Sequence, residues 1–145
     1  MKLELHSFVV GPIDVNCYIL QNMVTKQGIV IDPGGNPTTL LSYIEQEKIH
    51  LEAILLTHGH GDHIGAVDAL RDATGAKLWI HAADAPMLSE AKKNLSVFMG
   101  FSIETRPADH FLTDGQMLSV AGISLQVFHT PGHTPGGVCF YLENI

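Results

Sequence analysis

A chain of 145 residues is long enough for one domain with its own core, and 46% apolar with 16% charged residues describes a folded protein rather than a disordered one. The net charge of −7, with acidic side chains spread along the chain, argues against a nucleic-acid groove, which needs clustered Lys and Arg. No apolar run approaches bilayer length, and the opening MKLELHSFVV lacks the hydrophobic stretch of a signal peptide, so the expectation is a cytoplasmic protein with no membrane partner.

In chain order, residues 3–10 and 15–20 read as two strands joined by a turn at Gly11-Pro12, and residues 26–31 as a third. That third strand runs out into Asp32-Pro33-Gly34-Gly35, where Asp32 reads equally well as a turn residue and as one wall of a site. Asn36-Pro37 predicts a helix start, with Asn as the N-cap and Leu40, Leu41 and Ile44 on the buried face. Residues 51–56 (LEAILL) predict a short buried strand. A polar loop follows, then a second helix with Ile64, Val67 and Leu70 on one side and Gly75 as its C-terminal cap.

Residues 76–81 (AKLWIH) predict another strand, so strand and helix alternate as in an α/β layered fold. A short helix is expected over 83–92, capped near Asp84. From 93 to 107 periodicity disappears, and this segment reads as a loop beside a pocket. Phe98, Met99 and Phe101 are there either to touch substrate or to plug the core. Residues 118–120 and 123–129 predict a hairpin around Ala121-Gly122, and 138–142 a last strand. Cys17 and Cys139 lie inside strands, outside any CxxC pair, and are expected to be small buried thiols in a reducing compartment. With no linker and no repeat, residues 1–145 form a single domain.

The densest chemistry is in residues 57–68, THGHGDHIGAVD, between a strand end and a helix start. In extended backbone the side-chain period is two, so His58 and His60 fall on the same side. Gly59 and Gly61 let the backbone fold tightly around something small, and Asp62 and His63 are expected to enter the first turn of the helix and approach from another direction. Imidazoles and a carboxylate converging in this way suit a divalent transition metal, zinc first, with iron or manganese behind it. A second loop, residues 129–137 (HTPGHTPGG), also sits at a strand end and presents His133. Three neutral imidazoles from His58, His60 and His133 would leave a fourth position on zinc for water, the mark of a catalytic site. Zinc brings the pKa of such a water to about 7, supplying hydroxide at neutral pH without a Ser or Cys nucleophile. Asp62 would lie beside the attacking water, to orient it or take its proton. His129 reads either as support for a neighbouring imidazole or as a surface residue.

These motifs resemble those of the metallo-β-lactamase superfamily. THGHGDHIGA is similar to its His-x-His-x-Asp-His signature, and VIDPGG (30–35) and HTPGHTPGG (129–137) match two more of its segments. With the NCYIL strand (16–20), the likeness is greatest to the glyoxalase II-like branch of thioester hydrolases. The resemblance implies an αββα sandwich, of which this chain supplies the N-terminal half and the start of the second half. It places His58, His60 and His133 on a first metal, and Asp62 and His63 on a second. The implied activity is zinc-dependent hydrolysis of a thioester such as a hydroxyacyl-glutathione, by attack of metal-bound hydroxide. A β-lactam fits less well, since such enzymes are exported, and a mononuclear-iron persulfide dioxygenase is the enzymatic alternative. In the family a bridging Asp and a last His follow the strand at 138–142, whereas here only Glu143-Asn144-Ile145 remain. The expectation is therefore a C-terminally incomplete domain. It would bind close to one metal, self-associate or need completion by a further segment or partner chain, and as it stands be an inactive metal-binding fragment.

Overall fold

The strands that read as unbroken apolar runs do so because both of their faces are covered. The computed structural model describes residues 2–143. Its larger sheet takes six strands in chain order: β1 (Leu3–Val10), β2 (Val15–Asn22), β3 (Gln27–Ile31), β4 (His50–Leu55), β5 (Lys77–His81) and β6 (His110–Leu112). β1, β2 and β3 pair antiparallel, while β3 through β6 run parallel. Helices α1 (Pro37–Gln46) and α2 (Val67–Thr74) make the β3–β4 and β4–β5 crossovers. The smaller sheet is the antiparallel set β7 (Met117–Val120), β8 (Ile123–His129) and β9 (Val138–Tyr141).

Alternation along each strand divides the apolar residues between two cores. Ile19, Val30, Ile54, Leu78 and Ile80 face the helices, where they meet Leu40, Ile44, Val67 and Leu70. Their neighbours Leu20, Ile29, Ile31, Ala53 and Leu55 face the second sheet and pack on Ile123, Leu125, Val127 and Val138. This is the helix–sheet–sheet layering expected of the fold. Asn22 Nδ2 donates to Ala121 O at 3.3 Å, tying one sheet to the other. Ala121 itself sits with Gly122 at positive φ in the two-residue β7–β8 turn. Among the described residues no helix covers the outer face of the second sheet, where Met117, Phe128 and Tyr141 are exposed.

Several local expectations are corrected. Asn36 does precede α1, but in a left-handed conformation and without capping it; its Oδ1 accepts from Gly11 N at 3.0 Å instead, pinning the β1–β2 turn to the glycine-rich end of β3. α2 begins only at Val67, and Asp62 and His63 occupy a separate 3-10 turn, Gly61–His63, rather than the helix's first turn. Gly75 closes α2 at φ 75°, as the sequence implies. The helix expected over 83–92 shrinks to a 3-10 turn, Ala85–Ser89. There the Asn94 side chain binds Met87 O at 2.9 Å and Ile103 O at 2.8 Å, drawing the chain back before a helix can extend. The 93–107 segment holds one more 3-10 turn, Ser96–Met99, whose Phe98 is 77% exposed and plugs nothing. Both cysteines are free and Cys17 is buried, as expected, but Cys139 is exposed, contrary to expectation. Cys139 alternates with the core residue Val138 and so points outward. Burial, reinforced by the charge of Asp32, pushes the Cys17 thiol up to about 12, so it stays protonated. No helix among the described residues is long and apolar enough to cross a membrane.

Candidate metal centre

Parallel strands β3 and β4 end side by side, and the side chains that leave their C-terminal ends converge. At the end of β3, Asp32 is buried and left-handed (φ 55°), a conformation that Asp tolerates better than most residues. Its Oδ1 accepts from Thr57 N at 2.8 Å and its Oδ2 from Thr57 Oγ1 at 2.6 Å. Having donated its proton to Asp32, the Thr57 hydroxyl acts as acceptor toward His58 Nδ1, 3.0 Å away. His58 therefore carries its proton on Nδ1 and keeps the Nε2 lone pair, and Nε2 is buried with no protein partner. The glycine-rich turn presses directly on the loop: a Cβ at Gly34 would overlap the backbone carbonyl of Asp62.

The His60 and His133 rings approach from opposite loops, with Nδ1 of the first 3.1 Å from Nε2 of the second. The rings of His58, His60 and His133 stand nearly perpendicular to one another, at interplanar angles of 90°, 84° and 84°. Each brings one nitrogen to within 4.8 Å of the others. A second group with the same spacing joins His58 to Asp62 and His63. There Asp62 Oδ1 is buried without a protein partner, and Oδ2 lies 3.8 Å from His63 Nε2. His63 Nδ1 sits 3.1 Å from Asp32 Oδ2, an ion-pair distance without hydrogen-bond alignment. Burial, then the nearby His63, holds His58 down to about 4, and burial followed by the proximity of His133 lowers His60. Burial alone would lower His63 too, but the contact with Asp32 and the charges of Asp32 and Asp62 outweigh it and raise its pKa.

These donors fit a divalent ion. Four-coordinate zinc with Zn–N bonds of about 2.0–2.1 Å separates neighbouring nitrogens by roughly 3.3 Å, close to the 3.1 Å between His60 and His133. Leaving His58 Nε2 and Asp62 Oδ1 buried with nothing to bind costs about 1–3 kcal/mol each, a penalty that an ion or its water removes. Beside the cluster opens a cleft of about 380 Å³, lined by His60, His133, Met87, Leu95 and Lys93. A larger groove of about 990 Å³ lies at the opposite ends of the same strands, against Ile44, Leu51 and Gly75. Neither donor group belongs to it.

A profile of the Metallo-beta-lactamase superfamily matches residues 10–144. The chain belongs to the metallo-beta-lactamase superfamily. Over 136 residues it is 35% identical to a probable metallo-hydrolase, YqgX, of Bacillus subtilis, covering 93% of this chain and 64% of that protein. A hydroxyacylglutathione hydrolase, GloC, of Haemophilus influenzae is 34% identical over 117 residues, 79% of this chain and 55% of its own length. Among solved structures, the BLEG-1 B3 metallo-beta-lactamase superposes with a TM-score of 0.90 at 39% identity, over 96% of this chain and 67% of its own. The chain thus spans less than two thirds of the length of the curated relatives it matches. Family membership and the His/Asp cluster together imply divalent-metal binding at this place.

Every residue the sequence nominated for the metallo-beta-lactamase-like site, His58, His60, Asp62, His63 and His133, is brought to this one place. His129 stays outside the cluster, and its Nε2 lies 2.8 Å from Pro135 O, steadying the loop that carries His133. His110 lies against Trp79, away from the centre. Two further carboxylates support the cluster. Asp32 organises both Thr57 and His63. Asp84, expected only as a helix cap, sends its side chain to both loops. Asp32 was marked by its glycine-rich strand end, whereas Asp84 offers no local pattern in sequence, because its side chain finds its partners 25 or more residues away.

Proposed function

We propose that this chain carries the metal-binding part of a hydrolase that cleaves a thioester. His58, His60 and His133 hold one divalent ion, and Asp62 and His63 contribute to a second position that shares their edge of the cluster. The observation that carries this reading is the convergence of three nearly perpendicular imidazoles beside a carboxylate oxygen, Asp62 Oδ1, that is buried without a hydrogen-bond partner. Zinc is the ion that three imidazoles and one open position suit best, and iron follows if Asp62 joins two of the histidines. The ion, when bound, supplies acidified water and polarises a carbonyl oxygen. The protein's own part is to present His58 as a neutral imidazole near pH 7, which burial, then the nearby His63, secures by holding its pKa down to about 4. Asp62 Oδ1 orients the attacking water and accepts its proton. The Asp32–Thr57 pair keeps His58 in the tautomer that presents Nε2.

The thioester class rests on the similarity to the Haemophilus hydroxyacylglutathione hydrolase. A β-lactam is the second reading, favoured by the similarity to the B3 enzyme. The test assays full-length protein, zinc-loaded and iron-loaded, against S-lactoylglutathione and a chromogenic cephalosporin, with metal content measured after desalting. Thioester turnover that tracks zinc, falls in Asp62→Asn and disappears with the metal in His58→Ala and His133→Ala is the expected result. Cephalosporin turnover alone selects the second reading. Stoichiometric iron with oxygen uptake on a persulfide selects a dioxygenase. Full retention of metal in both histidine variants removes the basis of the proposal.

A further inference from the structure

Asp84 follows β5 at the start of the Ala85–Ser89 turn, yet its side chain does not cap that turn. The carboxylate is fully buried and enters no ion pair among the described residues. A charge so placed is strongly unfavourable unless its oxygens are filled by donors. They are filled by three, from two different loops. Gly59 N, between His58 and His60, donates to Oδ2 at 3.0 Å. Thr134 Oγ1, next to His133, donates to the same oxygen at 2.7 Å. Gly136 N donates to Oδ1 at 2.6 Å. The fit leaves no slack, since a Cβ on Gly136 would lie 2.8 Å from Oδ1 and 2.6 Å from the Asp84 nitrogen.

We infer that Asp84 is a positioning residue for the metal centre: its one carboxylate clamps the loop of His58 and His60 to the loop of His133, and so sets the separation of imidazoles that must share an ion. The inference rests on the metal-binding reading given above. His60 and His133 belong to segments 73 residues apart in sequence. Besides Asp84, the nearest backbone link between those segments is Val138 N to Thr57 O, at 2.8 Å. That bond lies beyond the glycines, outside the span that holds His133. Asp84 reaches inside that span on one side and between the two histidines on the other. Only an acceptor at both oxygens satisfies all three donors. Asn has a single acceptor oxygen, and whichever way it is turned an NH2 group faces a backbone N–H. Partners of this kind, one step removed from the ligands, typically change metal affinity 10- to 100-fold when removed.

The test uses the full-length protein and its Asp84→Asn and Asp84→Ala variants. Zinc affinity is read by competition with a chromophoric chelator, cobalt loading by visible absorption, and thermal unfolding is followed without metal. The expected result is about a 10- to 100-fold loss of zinc affinity per folded molecule in Asp84→Asn, a larger loss in Asp84→Ala and altered cobalt bands in both. Lower melting temperatures with unchanged zinc affinity and unchanged cobalt bands would mean that Asp84 merely stabilises the fold, and would overturn the inference. Should the Asp84 variants fail to fold, the pair Thr134→Val and Thr134→Ser decides. Val is expected to weaken zinc binding and Ser to restore it, and equal affinities overturn the clamp. A wild-type protein that binds neither zinc nor cobalt overturns the metal reading itself, an outcome told apart because it needs no variant.

Discussion

Replacing Thr57 with Val tests whether the relay behind His58 sets the metal site, because the change keeps side-chain volume and removes only the hydroxyl. Two contacts disappear, the donation to Asp32 Oδ2 at 2.6 Å and the acceptance from His58 Nδ1 at 3.0 Å. The backbone donation from Thr57 N to Asp32 Oδ1 at 2.8 Å remains, so the strand ends stay joined. The lost bond to a buried carboxylate is worth about 1.5–3 kcal/mol, and no cavity opens to add to it. Thr57→Val is therefore expected to lower the stability of the metal-free protein by about 1.5–3 kcal/mol. His58 Nδ1 then has no partner, and the ring loses both its orientation and its preference for the tautomer that exposes Nε2. Zinc affinity is expected to fall about 10- to 100-fold, with Thr57→Ser close to wild type. Thermal unfolding with and without chelator, together with chelator competition for zinc, separates the two effects. Zinc affinity in Thr57→Val within twofold of wild type would refute the reasoning, whatever happened to the melting temperature.

Gly34→Ala should destabilise the protein by about 1–3 kcal/mol or more, because the new Cβ overlaps the Asp62 carbonyl and the backbone must shift. Chemical denaturation measures the stability loss, and zinc affinity should fall with it. Leu55→Ala, at the contact between the sheets, should cost about 2–5 kcal/mol in the same assay with zinc affinity per folded molecule unchanged. In the metal-free protein His58 is held down to about 4, so from about pH 6.5 to 4 the unfolded chain takes up a proton that the folded chain refuses. Its contribution to stability is whole above that window and is lost as pH falls through it. His63, with its pKa raised, runs the other way: it stabilises below its unfolded pKa, and that contribution is lost as pH rises through the folded value. NMR titration of the ring protons without metal should show His58 neutral at pH 5.5 and His63 titrating above it. A common midpoint for both would contradict these environments.

The site was legible in the sequence to the extent that it is local. Alternating His58 and His60 with glycines between, at the end of a strand, encode direction and reach within six residues, and the structure keeps both. His133 was legible for the same reason, on a loop flanked by Pro and Gly at a strand end. The layered fold was legible in the alternation of strand and helix through residues 26–81, which the structure keeps as β3, α1, β4, α2 and β5. Failures arose where a side chain took over backbone hydrogen bonding. Asn94 halts the helix expected over 83–92 by binding carbonyls at Met87 and Ile103, and Asn36 turns from its own helix to Gly11. Such partnerships reach outside the helix they interrupt and leave no periodicity to read. β6 (His110–Leu112) escaped notice because its three residues earn their strand geometry only by pairing with β5. Cys139 was misplaced for a related reason, since the side of β9 facing the core depends on a register that only the sheet reveals.

X-ray absorption at the zinc edge tests the central claim most directly, applied to full-length protein loaded with one zinc, as wild type and as His133→Ala. The account expects imidazole scattering from three rings at about 2.0–2.1 Å in wild type, with no sulfur shell, and one ring fewer in the variant. An unchanged number of rings in His133→Ala, or zinc held by a thiolate, would contradict it.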